Sequence, residues 1–296
     1  MSETEQSCGS CSSKQPGGGA NQALQDQLIA STLDKIKYKL FVMSGKGGVG
    51  KSSVAVNLAA GLAQLGYKVG LMDVDIHGPS VPHLLGLKGQ LDIERGRLLQ
   101  PKRFNDNLGV VSMQSLLQDD NQAILWRGPM KTSAIRQFIS DVQWGELDFL
   151  VIDSPPGTGD EPMTVLRTIP DALSVVVTTP QQVSLTDVRK ALNFLQHAKA
   201  NILGLVENMS GLICPHCSQE IELFAKGGGR ELAESQHVPF LGEVPLDPAS
   251  VVAGDLGTPV VLMDEDLPSK RAFQHLSATV AEAAQNSLEA VSVQGQ

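Results

Sequence analysis

The sequence lacks the features that would direct a protein to a membrane or to a nucleic acid. No apolar run is long enough to cross a bilayer, and residues 1–16 lack the apolar core of a secretion signal. Lysine and arginine form no long block, and the formal net charge is −9. We therefore expect a cytoplasmic protein that binds neither nucleic acids nor membranes.

Cysteine is scarce, and its four residues are grouped. They form two C-x-x-C pairs, Cys8/Cys11 and Cys214/Cys217. In a reducing compartment such pairs are more typical of metal binding or redox chemistry than of structural disulfides. The hydrophobic content of 42% can supply a full core, so we do not expect folding to require disulfides.

A glycine-rich segment at residues 45–52, here called the P-loop, reads Gly-Lys-Gly-Gly-Val-Gly-Lys-Ser and fits the pattern G-x-x-x-x-G-K-[S/T]. Glycines allow backbone N–H groups to surround phosphate oxygens, Lys51 can neutralise the β- and γ-phosphates, and Ser52 can bind Mg²⁺. The flanking apolar and amphipathic segments predict a strand before the loop and a helix after it. The predicted nucleotide-binding residues are Gly45, Lys46, Gly47, Gly48, Val49, Gly50, Lys51, Ser52 and Ser53.

Two predicted strands end in carboxylates. Asp75 can orient a water molecule or hold a Mg²⁺-bound water, whereas we expect Asp73 to bind loop backbone. Four apolar residues precede Asp153, whose carboxylate can accept a hydrogen bond from Ser52 or from Mg²⁺-bound water. The small and rigid residues at 154–160 are typical of a loop that changes when the γ-phosphate is lost, or of an ordinary turn.

The order of apolar segments predicts an α/β fold: a doubly wound, mostly parallel sheet flanked by helices. Several predicted strands are almost entirely apolar, as expected where helices cover both faces of a sheet. The predicted strands span 38–43, 68–73, 108–113, 148–153, 172–178, 202–207 and 240–244, and the predicted helices span 21–34, 54–65, 131–139, 185–200, 228–235 and 267–288. The nucleotide should bind at the carboxyl ends of the strands.

The chain is predicted to have three parts. Residues 1–34 are a flexible tail with a short helix at its end, rich in serine, glycine and glutamine. Residues 35–285 form a P-loop ATPase domain, with a cysteine loop at 208–220. Residues 286–296 form a polar C-terminal tail.

Several segments together resemble a known protein class. Lys46, the carboxylates at 73–75 and the run 153–157 resemble the deviant Walker A ATPases of the SIMIBI class, which includes MinD, ParA and nitrogenase reductase. Residues 77–80 (His-Gly-Pro-Ser), 207–210 (Glu-Asn-Met-Ser) and 214–217 (Cys-Pro-His-Cys) are most similar to the Mrp/ApbC family of iron–sulfur cluster carriers, relatives of the cytosolic Nbp/Cfd scaffolds. The resemblance covers about residues 35–284.

This resemblance implies further roles for single residues. Lys46 would reach across a dimer to the partner's nucleotide, and Asp75 would support hydrolysis as the switch I residue. Asn208 would contact the adenine edge, and the run 244–247, with Asp247, would close over the base through backbone groups. The predicted catalytic residues are Lys46, Lys51 and Asp75.

The pair Cys214/Cys217 is half of a four-thiolate site. A thioredoxin-like redox pair would lie at the start of a helix in its own fold, whereas this pair is predicted on a loop. A structural Zn²⁺ shared between subunits and an iron–sulfur cluster bridging two subunits both fit the ligand type. The family resemblance favours the cluster. Scaffold-type relatives carry four N-terminal cysteines where this chain has only Cys8 and Cys11, so that pair either helps to pass on a cluster or is incidental.

The leading hypothesis is an ATP-hydrolysing homodimer that requires Mg²⁺ and binds a [4Fe-4S] cluster between two Cys214/Cys217 pairs. It would receive the cluster from an upstream donor or scaffold and transfer it to apo-proteins. The alternatives are a MinD/ParA-like positioning ATPase, a nitrogenase-reductase-like electron donor and a Zn²⁺-bridged nucleotide switch without a cluster. The first would need a basic face or an amphipathic C-terminal membrane helix, and the second would need single cysteines in two separate segments.

Overall fold

The computed structural model describes residues 18–75, 78, 80–92, 98–116, 128–214, 217, 219–221, 223–224 and 226–294. Its strands are β1 (Ile36–Ser44), β2 (Val69–Asp73), β3 (Lys102–Asn105), β4 (Leu108–Ser112), β5 (Leu147–Asp153), β6 (Leu173–Thr178), β7 (Asn201–Ile213), β8 (Glu220–Ile221) and β9 (Phe240–Leu246). Its helices are α1 (Gly18–Leu33), α2 (Lys51–Gln64), α3 (Val81–Leu84), α4 (Gly128–Ser140), α5 (Asp160–Thr168), α6 (Gln182–His197), α7 (Gly228–Ser235), α8 (Pro248–Asp255) and α9 (Pro268–Gln294).

The described strands form one sheet in the order β3-β4-β2-β5-β1-β6-β7-β8, and β9 also pairs with β7. The β3–β4 and β7–β8 pairs are antiparallel, and all the other strand pairs of the described sheet are parallel. The first strand lies between β5 and β6, so the direction of winding reverses beside it. This arrangement confirms the predicted doubly wound sheet, and it brings the carboxyl ends of the parallel strands to one edge.

Two apolar layers cover the sheet, because successive side chains of a strand point to opposite faces. In β1, Leu40 and Val42 pack into the layer that contains α2 and α9. Phe41 and Met43 pack into the opposite layer, which contains α4 and α6. In the described part of the chain, no helix combines the length and the apolar character that crossing a membrane requires.

All seven predicted strands are present, but β7 differs in length. We predicted its end at residue 207, whereas it continues to Ile213 because β9 and β8 pair with the additional residues. We did not predict β3, β8, α3, α5 or α8, because these elements are short or largely polar. The cysteine loop predicted at 208–220 is therefore partly strand.

The two ends of the chain also differ from the prediction. The first helix begins at Gly18, three residues before the helix predicted at 21–34, and Cys8 and Cys11 lie outside the described residues. The last helix extends to Gln294 and includes most of the predicted polar tail at 286–296. No glycine or proline interrupts residues 269–294, so the polar residues there remain compatible with a helix.

The start of the P-loop is held by close packing against α6. A Cβ atom on Gly45 would lie 2.4 Å from the carbonyl carbon of Asp187 and 2.7 Å from the backbone nitrogen of Val188. Backbone atoms cannot move aside as a side chain can, so only glycine allows the loop to pass this close to the helix.

We expect Gly45→Ala to lower the free energy of unfolding by about 1–3 kcal/mol, because the added methyl group separates α6 from the loop. Gly47→Ala is the matched control, since its Cβ would meet only the Pro156 side chain, at 3.9 Å. Urea unfolding measures both variants. Equal unfolding midpoints for the two variants would show that the α6 contact does not constrain the loop.

Candidate functional site

The P-loop connects β1 to the N-terminus of α2. Gly48 and Gly50 have φ angles of 80° and 75°, in the left-handed region that favours glycine. The Ser44 hydroxyl donates to the Lys46 carbonyl at 2.9 Å and so braces the turn from inside. No side chain caps the N-terminus of α2, so its first N–H groups can bind an anion.

A cavity of about 270 Å³ lies over this loop. It brings together P-loop residues, Asp75, Ser80, Leu84 and Pro156, and it includes every predicted loop residue except Gly45. Gly45 supports the loop from beneath, through its contact with α6, rather than lining the cavity.

Lys51 and Asp153 form a buried ion pair at the floor of this cavity. Their Nζ and Oδ1 atoms are 2.5 Å apart, and the two side chains are 6% and 0% exposed. Lys51 also donates to the Ser52 hydroxyl at 3.0 Å. The pair satisfies both charges in the absence of phosphates.

The other carboxylate oxygen of Asp153, Oδ2, is buried and has no hydrogen-bond partner in the described part of the chain. An orphaned oxygen of this kind, close to the Ser52 hydroxyl, fits a Mg²⁺ ion that is bound by the hydroxyl and reaches the carboxylate through water. Burial raises the pKa of Asp153, and the Lys51 ammonium opposes that shift.

Asp73 has the structural role that the sequence suggested. Its Oδ1 accepts from the Asp75 backbone N–H at 3.0 Å, and its Oδ2 accepts from the Ser112 hydroxyl at 2.9 Å. Complete burial and, secondarily, the charge of Asp153 raise the pKa of Asp73 to about 8. Through these two hydrogen bonds Asp73 holds the end of β2.

Asp75 lies beyond the end of β2, in a turn rather than in an extended strand. It is 8% exposed, lines the phosphate cavity, and its Oδ1 accepts from the Gly78 N–H at 3.2 Å. Of the predicted motif at residues 77–80, His77 and Pro79 lie outside the described residues.

The predicted switch segment at 154–160 connects β5 to α5. Its backbone is tied to the strand before the P-loop, because Ser154 N–H donates to the Val42 carbonyl at 3.2 Å and Gly157 N–H to the Ser44 carbonyl at 2.9 Å. Farther along, Glu161 of α5 pairs with Lys131 of α4 at 2.6 Å. A change in this segment can therefore reach both the P-loop and α4.

A second cavity of about 230 Å³ adjoins the first and shares Gly50, Ser53 and Leu84 with it. The predicted base-binding residues, Asn208 and the run 244–247, line it. The Asp247 carboxylate serves the fold, because Oδ1 accepts from Ala249 N–H at 3.0 Å and Oδ2 from the Ser269 hydroxyl at 2.7 Å. The Asp247 carboxylate is thus already bound by its own chain, and the contact of this run with a base stays a prediction.

Asn208 makes a contact that the sequence did not predict. Its side-chain amide donates to the carbonyl of Val49 in the P-loop at 2.9 Å, within a buried environment. The Asn208 side chain is thus shared between the loop and the second cavity.

Lys46 is half-buried and lines the phosphate cavity. Its ammonium has no hydrogen bond or ion pair to any residue that the structure describes. This differs from Lys51, whose charge is already neutralised within its own chain.

Cys214 and Cys217 lie between the end of β7 and β8, which pair as an antiparallel hairpin; the described residues 212–214, 217 and 219–221 are here called the cysteine hairpin. Cys214 is half-buried and Cys217 is exposed, neither forms a disulfide, and the Cys214 N–H donates to the Gln219 carbonyl at 2.9 Å. Among the described residues of this one chain, no three His, Cys, Asp or Glu side chains form a metal-ligand group. Pro215 and His216 lie outside the described residues.

Glu207 lies in β7 before the cysteine hairpin and binds residues on both sides of it. We did not predict this structural role. The fully buried carboxylate accepts from the Ser210 hydroxyl at 2.6 Å, from the Gly227 N–H at 3.3 Å and from the Gly229 N–H. The Glu207 carboxylate thereby connects β7 to the start of α7. The available signals were a carboxylate at the end of an apolar strand and its place in the family-like run 207–210.

We expect Asp73→Asn to weaken the decline in stability between about pH 4 and about pH 8. In this window the folded chain keeps a proton that the unfolded chain releases, so the free energy of unfolding of the wild type falls as pH rises. The slopes should differ by at most about 1.4 kcal/mol per pH unit.

Urea unfolding of the nucleotide-free protein across this range measures the two slopes. Asp148→Asn is the control: burial raises the pKa of Asp148, but the Lys37 ammonium and the Lys68 N–H together outweigh burial and hold this pKa below its usual value. Its linkage therefore acts below its unfolded-state pKa, outside this window. Parallel slopes for the wild type and Asp73→Asn would contradict the raised pKa.

Comparison with known sequences identifies close relatives. A family model described as ParA, NUBPL iron-transfer P-loop NTPase, matches residues 35–281. The iron-sulfur cluster carrier protein of Methanocaldococcus jannaschii is 45% identical over 267 residues, which cover 89% of this chain and 92% of the relative. The cytosolic Fe-S cluster assembly factor NUBP2 homolog of Dictyostelium discoideum is 48% identical over 232 residues, or 76% of this chain and 87% of the relative.

Solved structures give the same picture. A nucleotide-binding protein from Archaeoglobus fulgidus, solved in complex with ADP and with cobalt detected, has a TM-score of 0.70 at 41% identity, covering 79% of this chain and 92% of its own. The cell division ATPase MinD of Pyrococcus furiosus has a TM-score of 0.61 at 24% identity, covering 83% and 99%, and this likeness concerns the fold alone. The match over residues 35–281 and the identities above 40% agree with the P-loop geometry, and the chain belongs to the iron-transfer P-loop NTPases, a family of nucleotide-hydrolysing proteins that includes the iron–sulfur cluster carriers.

Proposed function

We propose that this chain is an ATP-hydrolysing iron–sulfur cluster carrier that acts as a homodimer. The observation that carries the proposal is the presence of two sites at the carboxyl edge of one sheet. One is a nucleotide cradle built on the P-loop, and the other is half of a thiolate site at Cys214 and Cys217. A second copy of the chain would complete the thiolate site.

The residues of the cradle divide the work of hydrolysis. Lys51 would exchange Asp153 for the β- and γ-phosphates, and Asp75 would orient the attacking water. Ser52 and, through water, Asp153 would hold Mg²⁺, which supplies positive charge to the phosphate oxygens when bound. The unpaired ammonium of Lys46 would neutralise charge on the nucleotide of the partner subunit.

The cargo would be a [4Fe-4S] cluster held by two thiolates from each subunit. Cys214 and Cys217 lie between β7 and the edge strand β8, where Cys214 is half-buried and Cys217 is exposed, rather than in the core. A cluster held there depends on how two cysteine hairpins face one another, so a change in dimer geometry would release it. This dependence suits a carrier, which must give the cluster up.

Donors and acceptors follow from the same proposal. The carrier would take the cluster from an upstream donor or scaffold and deliver it to apo-proteins that present free thiolates. The Dictyostelium discoideum relative is named as a cytosolic assembly factor, which supports a cytoplasmic location for this chain. Residues 35–285 would form the working domain, and the family model covers most of that range.

Anaerobic reconstitution with iron and sulfide should load about four iron atoms per dimer. Iron and zinc analysis, the visible absorption band and transfer to an apo-acceptor are the measurements. Cys214→Ser and Cys217→Ser should each abolish loading, and Cys8→Ser/Cys11→Ser separates the N-terminal pair from the hairpin pair. Stoichiometric zinc without cluster uptake would replace the carrier with a zinc-bridged switch.

Lys46→Ala should lower the rate of ATP hydrolysis at least about 100-fold, because a charge that stabilises the transition state is lost. ATP binding should remain measurable, since Lys51 and the loop amides are intact. The control is Lys68→Ala, an exposed lysine at the opposite, amino-terminal end of β2.

Mixing two inactive variants tests whether Lys46 acts in the partner's site. A mixed dimer of Lys46→Ala and Lys51→Ala subunits has one site with both lysines intact only if Lys46 acts in trans. Random pairing should then restore about a quarter of the wild-type rate, because half of the dimers are mixed and each has one working site. No recovery on mixing would assign Lys46 to its own subunit's nucleotide.

A further inference from the structure

We propose that Asn208 transmits the state of the nucleotide site to the cysteine hairpin of the same subunit. The inference rests on the proposed function for its meaning, because it concerns how a carrier would link ATP to its cargo. Its physical basis is the bond between Asn208 and Val49, which joins the strand that carries the cysteines to the loop that binds phosphate.

The contact between Asn208 and the P-loop is close and buried. Asn208 is 7% exposed, and its amide donates to the Val49 carbonyl at 2.9 Å. A Cβ atom on Gly50 would lie only 2.3 Å from the Asn208 Nδ2 atom, so the amide is packed against the loop backbone. A movement of the loop at Val49 and Gly50 must therefore displace Asn208.

The chemistry of the amide allows it to respond to the nucleotide as well. An asparagine side chain has two N–H donors and one acceptor oxygen, and a single N–H is used by Val49. The second cavity is lined by the same side chain. Asn208 can thus contact a bound base and the phosphate loop simultaneously, without giving up either.

The path from Asn208 to the cysteines is short and contains an irregular stretch of backbone. Asn208 and Cys214 are six positions apart, and β7 continues between them to Ile213. Met209 and Gly211 have positive φ angles of 57° and 74°, and the pairing of β7 with β9 is interrupted between Asn208 and Leu212. A non-glycine residue in this region of φ is uncommon, which identifies 209–211 as the irregular part of the strand.

Glu207 holds β7 in place immediately before this irregular stretch. Its carboxylate accepts hydrogen bonds from Ser210, Gly227 and Gly229, so β7 is attached to α7 at this position. Because Glu207 is fixed, a displacement of Asn208 would change the orientation of the cysteine hairpin relative to Glu207. Nucleotide binding would then alter the presentation of the Cys214 and Cys217 thiols.

The test measures thiol reactivity and needs no cluster. In a Cys8→Ser/Cys11→Ser background the remaining thiols are Cys214 and Cys217, and iodoacetamide alkylation is followed with and without saturating Mg·ATP. We expect nucleotide to change the alkylation rate at least about fivefold, the usual lower range for coupled sites. Asn208→Ala should bring this ratio to about one at nucleotide concentrations that direct binding shows to be saturating.

Asn57→Ala is the matched control. Asn57 is also a buried asparagine; it donates to the Ser53 carbonyl at 2.9 Å and accepts from the Val261 N–H at 3.1 Å, and neither of these hydrogen bonds involves β7. This variant should retain the nucleotide-dependent ratio. Should Asn208→Ala fold poorly, Asn208→Asp keeps the shape of the side chain, removes the donor and carries the same expectation.

Two outcomes would overturn the inference. A wild-type ratio of one would show that nucleotide does not reach the hairpin, and a full ratio in the Asn208 variants would mean that a partner subunit merely covers the thiols. Both results are independent of cluster loading, so they are distinguishable from a failure of the carrier function, which appears only as lack of iron uptake.

Discussion

The buried ion pair of Lys51 and Asp153 is the interaction on which the nucleotide site depends. Each charge is almost completely removed from water, so neither side chain is tolerated there without the other or a substitute. Phosphates can substitute for the carboxylate beside Lys51, and a hydrated Mg²⁺ can substitute for the ammonium beside Asp153. This one contact therefore holds together the two charges that substrate phosphates and a metal ion would separate.

A second constraint comes from the order of the strands. The loops after β1, β2, β5 and β7 meet at one edge, so the P-loop, Asp75, the switch segment and the base of the cysteine hairpin are neighbours by topology. Two features at this edge remain incomplete in the described part of a single chain: Lys46 has no charge partner, and the cysteine pair offers two thiolates. One dimer would supply both a charge partner for Lys46 and two further thiolates. ATP hydrolysis and cluster binding would then be properties of the same assembly.

Local patterns in the sequence were sufficient to predict the sheet, the P-loop and Asp153. Buried parallel strands are continuous apolar runs, and the phosphate loop is a contiguous motif. The sequence could not predict the close packing of Gly45 against Asp187 or the bond from Asn208 to Val49, whose partners are 142 and 159 positions apart. The extension of β7 was missed for a related reason: residues 208–211 include Asn208, Ser210 and Gly211, which do not continue the apolar run, and the strand resumes through the pairing of Leu212 with β9 and β8.

In the proposed carrier the nucleotide site and the thiolate site are coupled, and coupling between binding sites is reciprocal. The most direct test is therefore the dissociation constant of Mg·ATP for the metal-free protein and for the cluster-loaded protein, measured under anaerobic conditions by titration calorimetry. Loading Cys214 and Cys217 should change this dissociation constant at least about fivefold in the wild type. Equal constants for the loaded and the metal-free protein would contradict this coupling.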